Sequence, residues 1–270
     1  MKISNKILAI FNLFILIALI YWNYKVNTLG INGNTVGSLS REYENLFTPA
    51  SYAFSIWGLI FLSLTAQAIY LVKSAFSQNQ VDFIHKMAPF LILANLLNGA
   101  WLWFWLTEQT GISVLIMTGI LASLILVILR LNMERWNAPR NIIAWIWWPI
   151  CLYSGWIAVA TIADFSAYLA KVGWTGGSNE LTWTLIMILV ATALNLWIIY
   201  TRNMREFALV GAWALIAIAV RHWEVIQEIQ WISAAGAVTI ILYAGAHGFK
   251  TEKAILFTRK TSFKTLKINR

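Results

Sequence analysis

Long apolar runs separated by short polar segments make up most of the chain. A helix that crosses a bilayer needs about 20 predominantly apolar residues, and most of the runs approach that length. The pattern therefore predicts an all-α, polytopic membrane protein with about eight transmembrane helices. We expect the fifth and longest to be tilted or kinked at Pro149. The predicted spans are residues 7–22, 53–72, 87–106, 111–129, 143–169, 181–200, 207–220 and 231–245.

Composition agrees with the pattern of apolar runs. Of the 270 residues, 60% are hydrophobic and 11% are charged, whereas soluble domains carry about 25% charged residues. Cys151 is the single cysteine, so the chain cannot form an intramolecular disulfide. A soluble fold is excluded by these proportions.

The Lys and Arg residues, which give the chain its net charge of +9, are distributed as the predicted topology requires. With eight spans, 16 of the 20 Lys and Arg residues fall on the face that carries both termini. Loops rich in Lys and Arg stay in the cytoplasm, so cytoplasmic N- and C-termini are predicted. Seven of these residues lie in a basic tail, where we expect contact with anionic membrane lipids rather than with nucleic acid. The absence of an organelle-targeting presequence favours a bacterial inner membrane.

Two helix faces combine aromatic and polar side chains inside apolar runs. At helical spacing, one face carries Tyr153, Trp156, Ala160 and Asp164, and the other carries Asn95, Asn98, Trp101 and Trp105. Together with the Pro49–Trp57 stretch, these faces predict a flat-walled apolar cavity with a few hydrogen-bonding groups. A planar hydrophobic ligand would suit such a cavity.

Structural roles for the same residue types remain open. Trp side chains at span ends form interfacial belts, and buried Asn side chains commonly join helices by hydrogen bonds. Asp164 could lie near enough to the outer interface to be hydrated. The histidines His85, His222 and His247 are scattered without metal-ligand spacing, so we predict neither a metal site nor a catalytic residue.

Aromatic motifs at residues 47–70, 96–106 and 152–164 together resemble the tryptophan-rich sensory protein or translocator protein (TspO/MBR) family. FTPASYAFSIWGLIFLSLTAQAIY (residues 47–70) is similar to the family's Pro-Pro-aromatic-x-Phe-x-x-x-Trp-x-x-Leu-Tyr loop and second helix. LLNGAWLWFWL (residues 96–106) resembles its Leu-Asn-x-x-Trp-x-x-Phe-Phe helix. LYSGWIAVATIAD (residues 152–164) resembles its Pro-Tyr-x-x-Trp-x-x-x-Ala-Thr-x-x-Asn helix. The motifs occur in family order.

The resemblance implies a five-helix pocket for porphyrin, haem or a sterol-like lipid, often in a homodimer. We therefore divide the chain into a TspO-like core (residues 1–170), three additional helices (171–249) and a basic cytoplasmic tail (250–270). The sequence departs from the family motifs at Ala50, Phe61, Leu152 and Asp164. Asp164 replaces the asparagine of the third motif and could make a neutral pocket wall titratable.

The leading hypothesis is that the protein binds or senses a planar hydrophobic molecule, with porphyrin or haem as ligand and no resident cofactor. A proton-coupled secondary transporter that uses Asp164 is the alternative. An enzyme acting on a tetrapyrrole or isoprenoid and a scaffold for another membrane complex are two further hypotheses. The expected ligand-binding residues are Pro49, Tyr52, Trp57, Asn98, Trp101, Trp148, Tyr153, Trp156 and Asp164.

Overall fold

The computed structural model describes residues 4–77, 82–174 and 179–268, with side chains as far as residue 248. Within these ranges the chain is all-α, without a β-strand, as its apolar pattern predicts. The side chains of the predicted basic tail, residues 250–270, lie outside the described part.

The helices follow one another with short connections. A 3₁₀ turn, Ser51–Ser55, leads into α3, and a π turn, Ile143–Trp147, joins α6 to α7. The helices are α1 (Asn5–Leu29), α2 (Val36–Glu42), α3 (Ile56–Phe76), α4 (Phe83–Leu106), α5 (Thr110–Arg130), α6 (Arg140–Ile142), α7 (Trp148–Lys171), α8 (Glu180–Arg202), α9 (Arg205–Arg221) and α10 (Gln227–Ile268).

Seven helical segments of the described chain are long and apolar enough to cross a membrane. They correspond to seven of the eight predicted spans. The remaining span forms α9, whose 17 residues extend about 26 Å at 1.5 Å per residue. This length is close to the hydrocarbon thickness of a bilayer, about 30 Å.

Hydrogen bonds divide the connecting segments into two groups at opposite ends of the bundle. At one end, called here the Arg221 face, Tyr43 bonds Glu108 and Arg221 bonds the carbonyl of Asn45. At the other, called the Arg135 face, Arg135 bonds the carbonyl of Thr201. This grouping is the one that eight alternating spans predict, and α9 runs from one face to the other.

Side-chain caps determine where several helices begin. Ser4 accepts a hydrogen bond from the amide of Lys6 at the start of α1, and Asn179 caps α8 through the amide of Thr182. Such caps satisfy amide groups that have no partner inside the helix. Helix α1 ends at Gly30, whose φ of 72° suits a residue without a Cβ atom.

The distortion expected at Pro149 lies in the turn before it. Proline has no amide hydrogen to donate to the carbonyl four residues earlier, so the regular helix cannot continue unchanged through this position. The chain instead forms the π turn, and the buried amide of Gln67 donates to the carbonyl of Ile146 at 3.0 Å. A polar side chain from α3 thereby supports the irregular backbone.

The described part of the bundle contains two hydrophobic clusters. The larger one extends through α1, α3, α4, α5 and α7 and includes residues of α9, and the smaller one lies among α8, α9 and α10. Helix α9 joins them because it packs on α7 as well as on α8 and α10. The helices after residue 170 are thus attached to the preceding bundle through α9.

Gly155 permits the close contact between α7 and α9. A Cβ atom at this position would lie 2.8 Å from the carbonyl oxygen of Phe207 and 3.1 Å from Cβ of Val210. Because backbone atoms of α9 cannot yield as a flexible side chain does, any larger residue must move the two helices apart.

We expect Gly155→Ala to lower the unfolding temperature of the detergent-solubilised protein. Overpacking of a close contact costs about 1–3 kcal/mol. Gly58→Ala is the matched control, since a Cβ atom there meets no atom within 4 Å and alanine favours a helix more than glycine does. Equal unfolding temperatures for the two variants would contradict this role of Gly155.

Candidate functional site

An aromatic cavity lies within the bundle near the Arg221 face, and its volume is about 60 Å³. Helices α2, α3, α4, α5 and α7 contribute to it, together with the loop that precedes α3. Its lining residues are Val36, Ser40, Tyr43, Thr48, Pro49, Phe54, Trp57, Trp101, Trp105, Met117, Trp156, Val159, Ala160, Ala163, Asp164 and Ala167.

Six of the sixteen residues that line the cavity are aromatic. Trp101 and Trp105 are stacked, with ring centroids 5.9 Å apart and planes 16° from parallel. Phe54 meets Trp156 edge to face at 6.0 Å. Such pairs stabilise one another beyond the burial of their area and hold the rings in fixed orientations. The wall is therefore flat and apolar.

Asp164 is the carboxyl group of this cavity, and only 4% of its surface is exposed. Ser113 Oγ lies 3.0 Å from both carboxyl oxygens, and Trp101 Nε1 donates to Oδ2 at 3.4 Å. Within the described chain Asp164 has no ion-pair partner. A buried carboxyl group is costly unless hydrogen bonds compensate for the lost water, and these two side chains provide them.

Two hydrogen-bond donors in the cavity wall lack a partner. The indole Nε1 groups of Trp105 and Trp156 are buried, and neither has a hydrogen-bond acceptor in the described part of the chain. Buried donors are nearly always satisfied by protein, water or ligand. The side chains that line the cavity thus carry two donors without an acceptor and one carboxyl group.

Five of the nine side chains predicted to bind a ligand line this cavity: Pro49, Trp57, Trp101, Trp156 and Asp164. Two of the other predicted residues, Asn98 and Tyr153, form a hydrogen bond between helices instead. Asn98 Nδ2 donates to the hydroxyl of Tyr153 at 2.9 Å. The Tyr153 ring also contacts Trp57, with centroids 6.1 Å apart. These two residues lie directly behind the cavity wall.

The remaining two predicted residues lie elsewhere. Tyr52 packs edge to face on Trp213 of α9, with ring centroids 5.3 Å apart. Trp148 is 46% exposed and does not contribute to the cavity wall, which corrects the expectation that it would. Trp148 precedes Trp156 by eight residues, roughly two helical turns, and so lies farther from the Arg221 face.

Helix α9 holds the loop that covers the cavity. Arg221 donates to the carbonyl groups of Asn45 and Thr48, at 3.2 and 2.6 Å, and pairs with the carboxylate of Glu44. Further along the same helix, the carbonyl of Ala217 accepts from the amide of Ala50 at 3.1 Å. Loop residues 44–50 are therefore positioned from outside the cavity.

His222 adds a titratable contact to the same loop. Its Nε2 atom lies 2.9 Å from the carbonyl oxygen of Leu46. Burial lowers the pKa of His222 from its ordinary value, opposed by the bond to Leu46, and the nearby Arg221 charge lowers it further. The neutral imidazole is thus the form that the folded loop favours.

A second polar cluster closes the cavity beside α2. The Tyr43 hydroxyl donates to the Glu108 carboxylate, and the Lys171 ammonium lies 3.6 Å from the same carboxylate. Burial, together with the hydrogen bond to Glu108, raises the pKa of the Tyr43 hydroxyl. The bond from Tyr43 lowers the pKa of Glu108 despite partial burial, and Lys171 adds to that effect.

Several contributors were not among the predicted site residues. Ser113 and Tyr43 are ordinary polar residues at the ends of helices, and Arg221 is a basic residue at the end of an apolar run. Arg221 pairs with Glu44, 177 residues earlier in the chain. No local pattern indicates a partner at such a separation. Trp105 was not among the predicted ligand-binding residues, although the sequence places it on the same helical face as Asn98 and Trp101.

Comparison with known families identifies one match. A family model described as TSPO-like protein matches residues 9–246 of the chain. The match confirms the family predicted from the three motifs, and it extends through the helices that follow residue 170. None of the curated proteins and none of the solved structures matches the chain.

We expect Arg221→Gln to expose the aromatic cavity by releasing the loop. In a protein carrying Ser40→Cys, a thiol reagent would then label residue 40 faster, because Ser40 lines the cavity and the native Cys151 is fully buried. Lys25→Gln, a charge loss at the same face of the bundle, is the control. Unchanged labelling in Arg221→Gln would show that the loop does not depend on Arg221.

Acidification should weaken attachment of the loop through His222. A group whose pKa is lower in the folded state contributes stability above its unfolded pKa, about 6.5, and that contribution is lost as the pH falls. Between pH 7.5 and pH 5.5 we therefore expect the unfolding temperature to fall more for the wild-type protein than for His222→Gln. Parallel decreases in the two proteins would contradict this assignment.

Proposed function

The chain belongs to the TSPO-like protein family, and on that basis we propose that it binds or senses a planar hydrophobic ligand in the aromatic cavity. Porphyrin and haem are the ligands that we would test first, with a sterol or isoprenoid as the next class. The protein needs no resident cofactor for this function.

One observation carries the proposal. The unpaired indole donors of Trp105 and Trp156 and the carboxyl group of Asp164 line the same apolar cavity. Flat aromatic walls favour a planar ring system, and the few polar groups would orient it by bonding to its edge. A purely structural aromatic core would not require donors without acceptors.

The aromatic cavity is too small to hold a porphyrin without a change in its wall. Sites for small molecules usually have volumes of about 300–1,000 Å³, well above the 60 Å³ of the aromatic cavity. A ligand as large as a porphyrin must therefore displace part of the wall. The loop of residues 44–50 is the segment best suited to move, because α9 holds it through individual hydrogen bonds rather than through a continuous helix.

Quenching of tryptophan fluorescence by protoporphyrin tests the proposal. We expect saturable quenching in the detergent-purified protein, with the dissociation constant raised about three- to tenfold in Trp156→Phe, the range that one aromatic contact supports. Asp164→Asn tests the carboxyl group without removing a fluorophore. Each titration is normalised to the unliganded fluorescence of the same variant.

Trp231→Phe is the matched control for the loss of one indole, because Trp231 is 61% exposed on α10 and does not line the cavity. Its dissociation constant should equal that of the wild-type protein. Quenching that fails to saturate and is the same in all variants would show partition of porphyrin into the detergent micelle. The proposal would then be abandoned.

A proton-coupled transporter is the second candidate, and the hydrogen bonding of Asp164 favours it. Ser113 Oγ also lies 2.9 Å from the carbonyl oxygen of Thr110, and its single proton serves one acceptor at a time. A protonated Asp164 would donate to Ser113, and an ionised one would accept from it. Both protonation states therefore have a hydrogen-bonded arrangement.

Uptake into proteoliposomes under an imposed proton gradient distinguishes the transporter from a binding protein. We expect a transporter to lose gradient-driven porphyrin uptake in Asp164→Asn while the variant still binds the ligand. Absence of gradient-driven uptake in the wild-type protein would eliminate this candidate.

Coupling sites usually lie near the bilayer midplane, whereas Asp164 lies seven residues, about 10 Å, from the end of α7. We therefore rank the binding function first.

We further propose that the Arg135 face lies in the cytoplasm, in a bacterial inner membrane. The excess of Lys and Arg in the sequence segments on this side supports the orientation. The aromatic cavity would then lie in the outer half of the bilayer. Protease access to tags at the two termini, in sealed right-side-out vesicles, tests this orientation.

A further inference from the structure

A second cavity, called here the lateral cavity, lies among α5, α7, α8 and α9. Its volume is about 590 Å³, within the range of small-molecule sites and nearly ten times that of the aromatic cavity. Helix α7 separates the two, and Val159 lines both. Nothing in the proposed function uses this second space.

The lateral cavity exists because α8 packs on α9 and α10 rather than closely on α5 and α7. Small side chains widen the gap, among them Ala158 on α7, Ala191 on α8 and Ala214 on α9. An apolar space of this size inside a protein forfeits many dispersion contacts when nothing fills it. We therefore expect another molecule to fill the gap between the helices.

The lateral cavity opens sideways, toward the surroundings of the bundle. Ile125 on α5 and Leu194 and Trp197 on α8 line it, and all three side chains are exposed, with 61% of Trp197 accessible. In a membrane-spanning bundle such side chains face lipid. An occupant can thus enter from the bilayer between α5 and α8.

The interior of the lateral cavity suits a hydrocarbon. Most of its lining is aliphatic or aromatic, and the two uncharged polar side chains on α8 donate to their own helix: Asn195 to the carbonyl of Ala191 and Thr201 to that of Trp197. Asn195 Oδ1 is left as an unpaired acceptor. Between its two ends the lateral cavity is therefore lined mainly by apolar side chains.

Positive charge marks the end of the lateral cavity at the Arg135 face. Arg135 and Arg202 both line it there. Arg135 donates one hydrogen bond to the carbonyl of Thr201, at 3.2 Å, and Nη1 of Arg202 is buried without a partner in the described part of the chain. Two guanidinium groups with unused donors match the geometry of a phosphate group.

The acidic residues nearby do not cancel this charge. Glu134 accepts a hydrogen bond from Asn203 at 3.1 Å and lies near Arg205, and neither Glu134 nor Glu206 lines the lateral cavity. Burial and the proximity of Glu206 raise the pKa of Glu134 to about 7. At neutral pH Glu134 therefore carries only part of a negative charge.

We propose that the lateral cavity binds an acyl chain of an anionic membrane lipid, whose phosphate lies against Arg135 and Arg202. The aliphatic interior would hold the acyl chain, which would enter from the bilayer through the opening between α5 and α8. The two arginines would bind the anionic headgroup. This site is distinct from the aromatic cavity, so its test is independent of porphyrin binding.

Native mass spectrometry of the protein, released from a neutral detergent after incubation with dioleoyl lipids, tests the proposal. Phosphatidylglycerol and phosphatidylcholine share their chains and differ in net charge. We expect the wild-type protein to retain phosphatidylglycerol preferentially. The double variant Arg135→Gln, Arg202→Gln should weaken this retention about tenfold or more, since each basic group near an anionic headgroup contributes about 1 kcal/mol.

Arg130→Gln is the matched control for nonspecific attraction of anionic lipid to the basic residues of the Arg135 face. Arg130 ends α5 on the same side, lies over the ring of Phe90 and does not line the lateral cavity. Retention of phosphatidylglycerol should not change in this variant. An equal loss in Arg130→Gln and in the double variant would show surface attraction alone and would overturn the proposal.

Filling the lateral cavity tests the acyl chain separately. Ala191→Phe should reduce retention of phosphatidylglycerol, whereas Ala193→Phe, on an exposed face of the same helix, should not. If Ala191→Phe does not give a monodisperse protein, Leu194→Trp at the exposed rim replaces it. Unchanged retention in the folded filling variant, or equal retention of the two lipids by the wild-type protein, would overturn the proposal.

Discussion

The close contact between α7 and α9 is the interaction on which the rest of the structure depends. At Gly155 the two backbones approach so closely that a single added methyl group would collide with the carbonyl of Phe207. This contact places α9 against the first hydrophobic cluster and carries α8 and α10 with it. Hydrogen bonds from Arg221 and His222 to the loop of residues 44–50 add to this attachment at one end of α9.

Both cavities follow from the position of α9. At the Arg221 face, the end of α9 supplies Arg221 and His222, which hold the loop over the aromatic cavity. Beyond the other side of α7, α9 forms a wall of the lateral cavity, because α8 packs on α9 and leaves a gap to α5. The helices that follow residue 170 thus contribute a second apolar cavity and hold the loop over the first from outside.

Hydrogen bonds between buried polar groups determine how the helices of the bundle are positioned relative to one another. Inside a bilayer, an amide or carboxyl group must find its partner within the protein. Asn98 pairs with Tyr153, Gln67 with the carbonyl of Ile146, and Asp164 with Ser113. Each pair joins two different helices and fixes their relative depth. The indole donors of Trp105 and Trp156, which have no acceptor in the described part of the chain, belong to side chains that line the aromatic cavity.

The sequence by itself determined the class of the protein, the family, the positions of the membrane-crossing helices and part of the aromatic cavity. Apolar runs and helical spacing are local properties, so they suffice to assign Trp101, Trp156 and Asp164 to inward faces. Only the tertiary structure decided which faces meet. It separated Trp148 from the cavity, brought Arg221 to Glu44 across 177 residues, and left a gap between α5 and α8. The physical reason is that the depth and rotation of each helix depend on contacts such as that of Gly155 with Phe207, which join residues far apart in the chain and leave no periodic signal in the sequence.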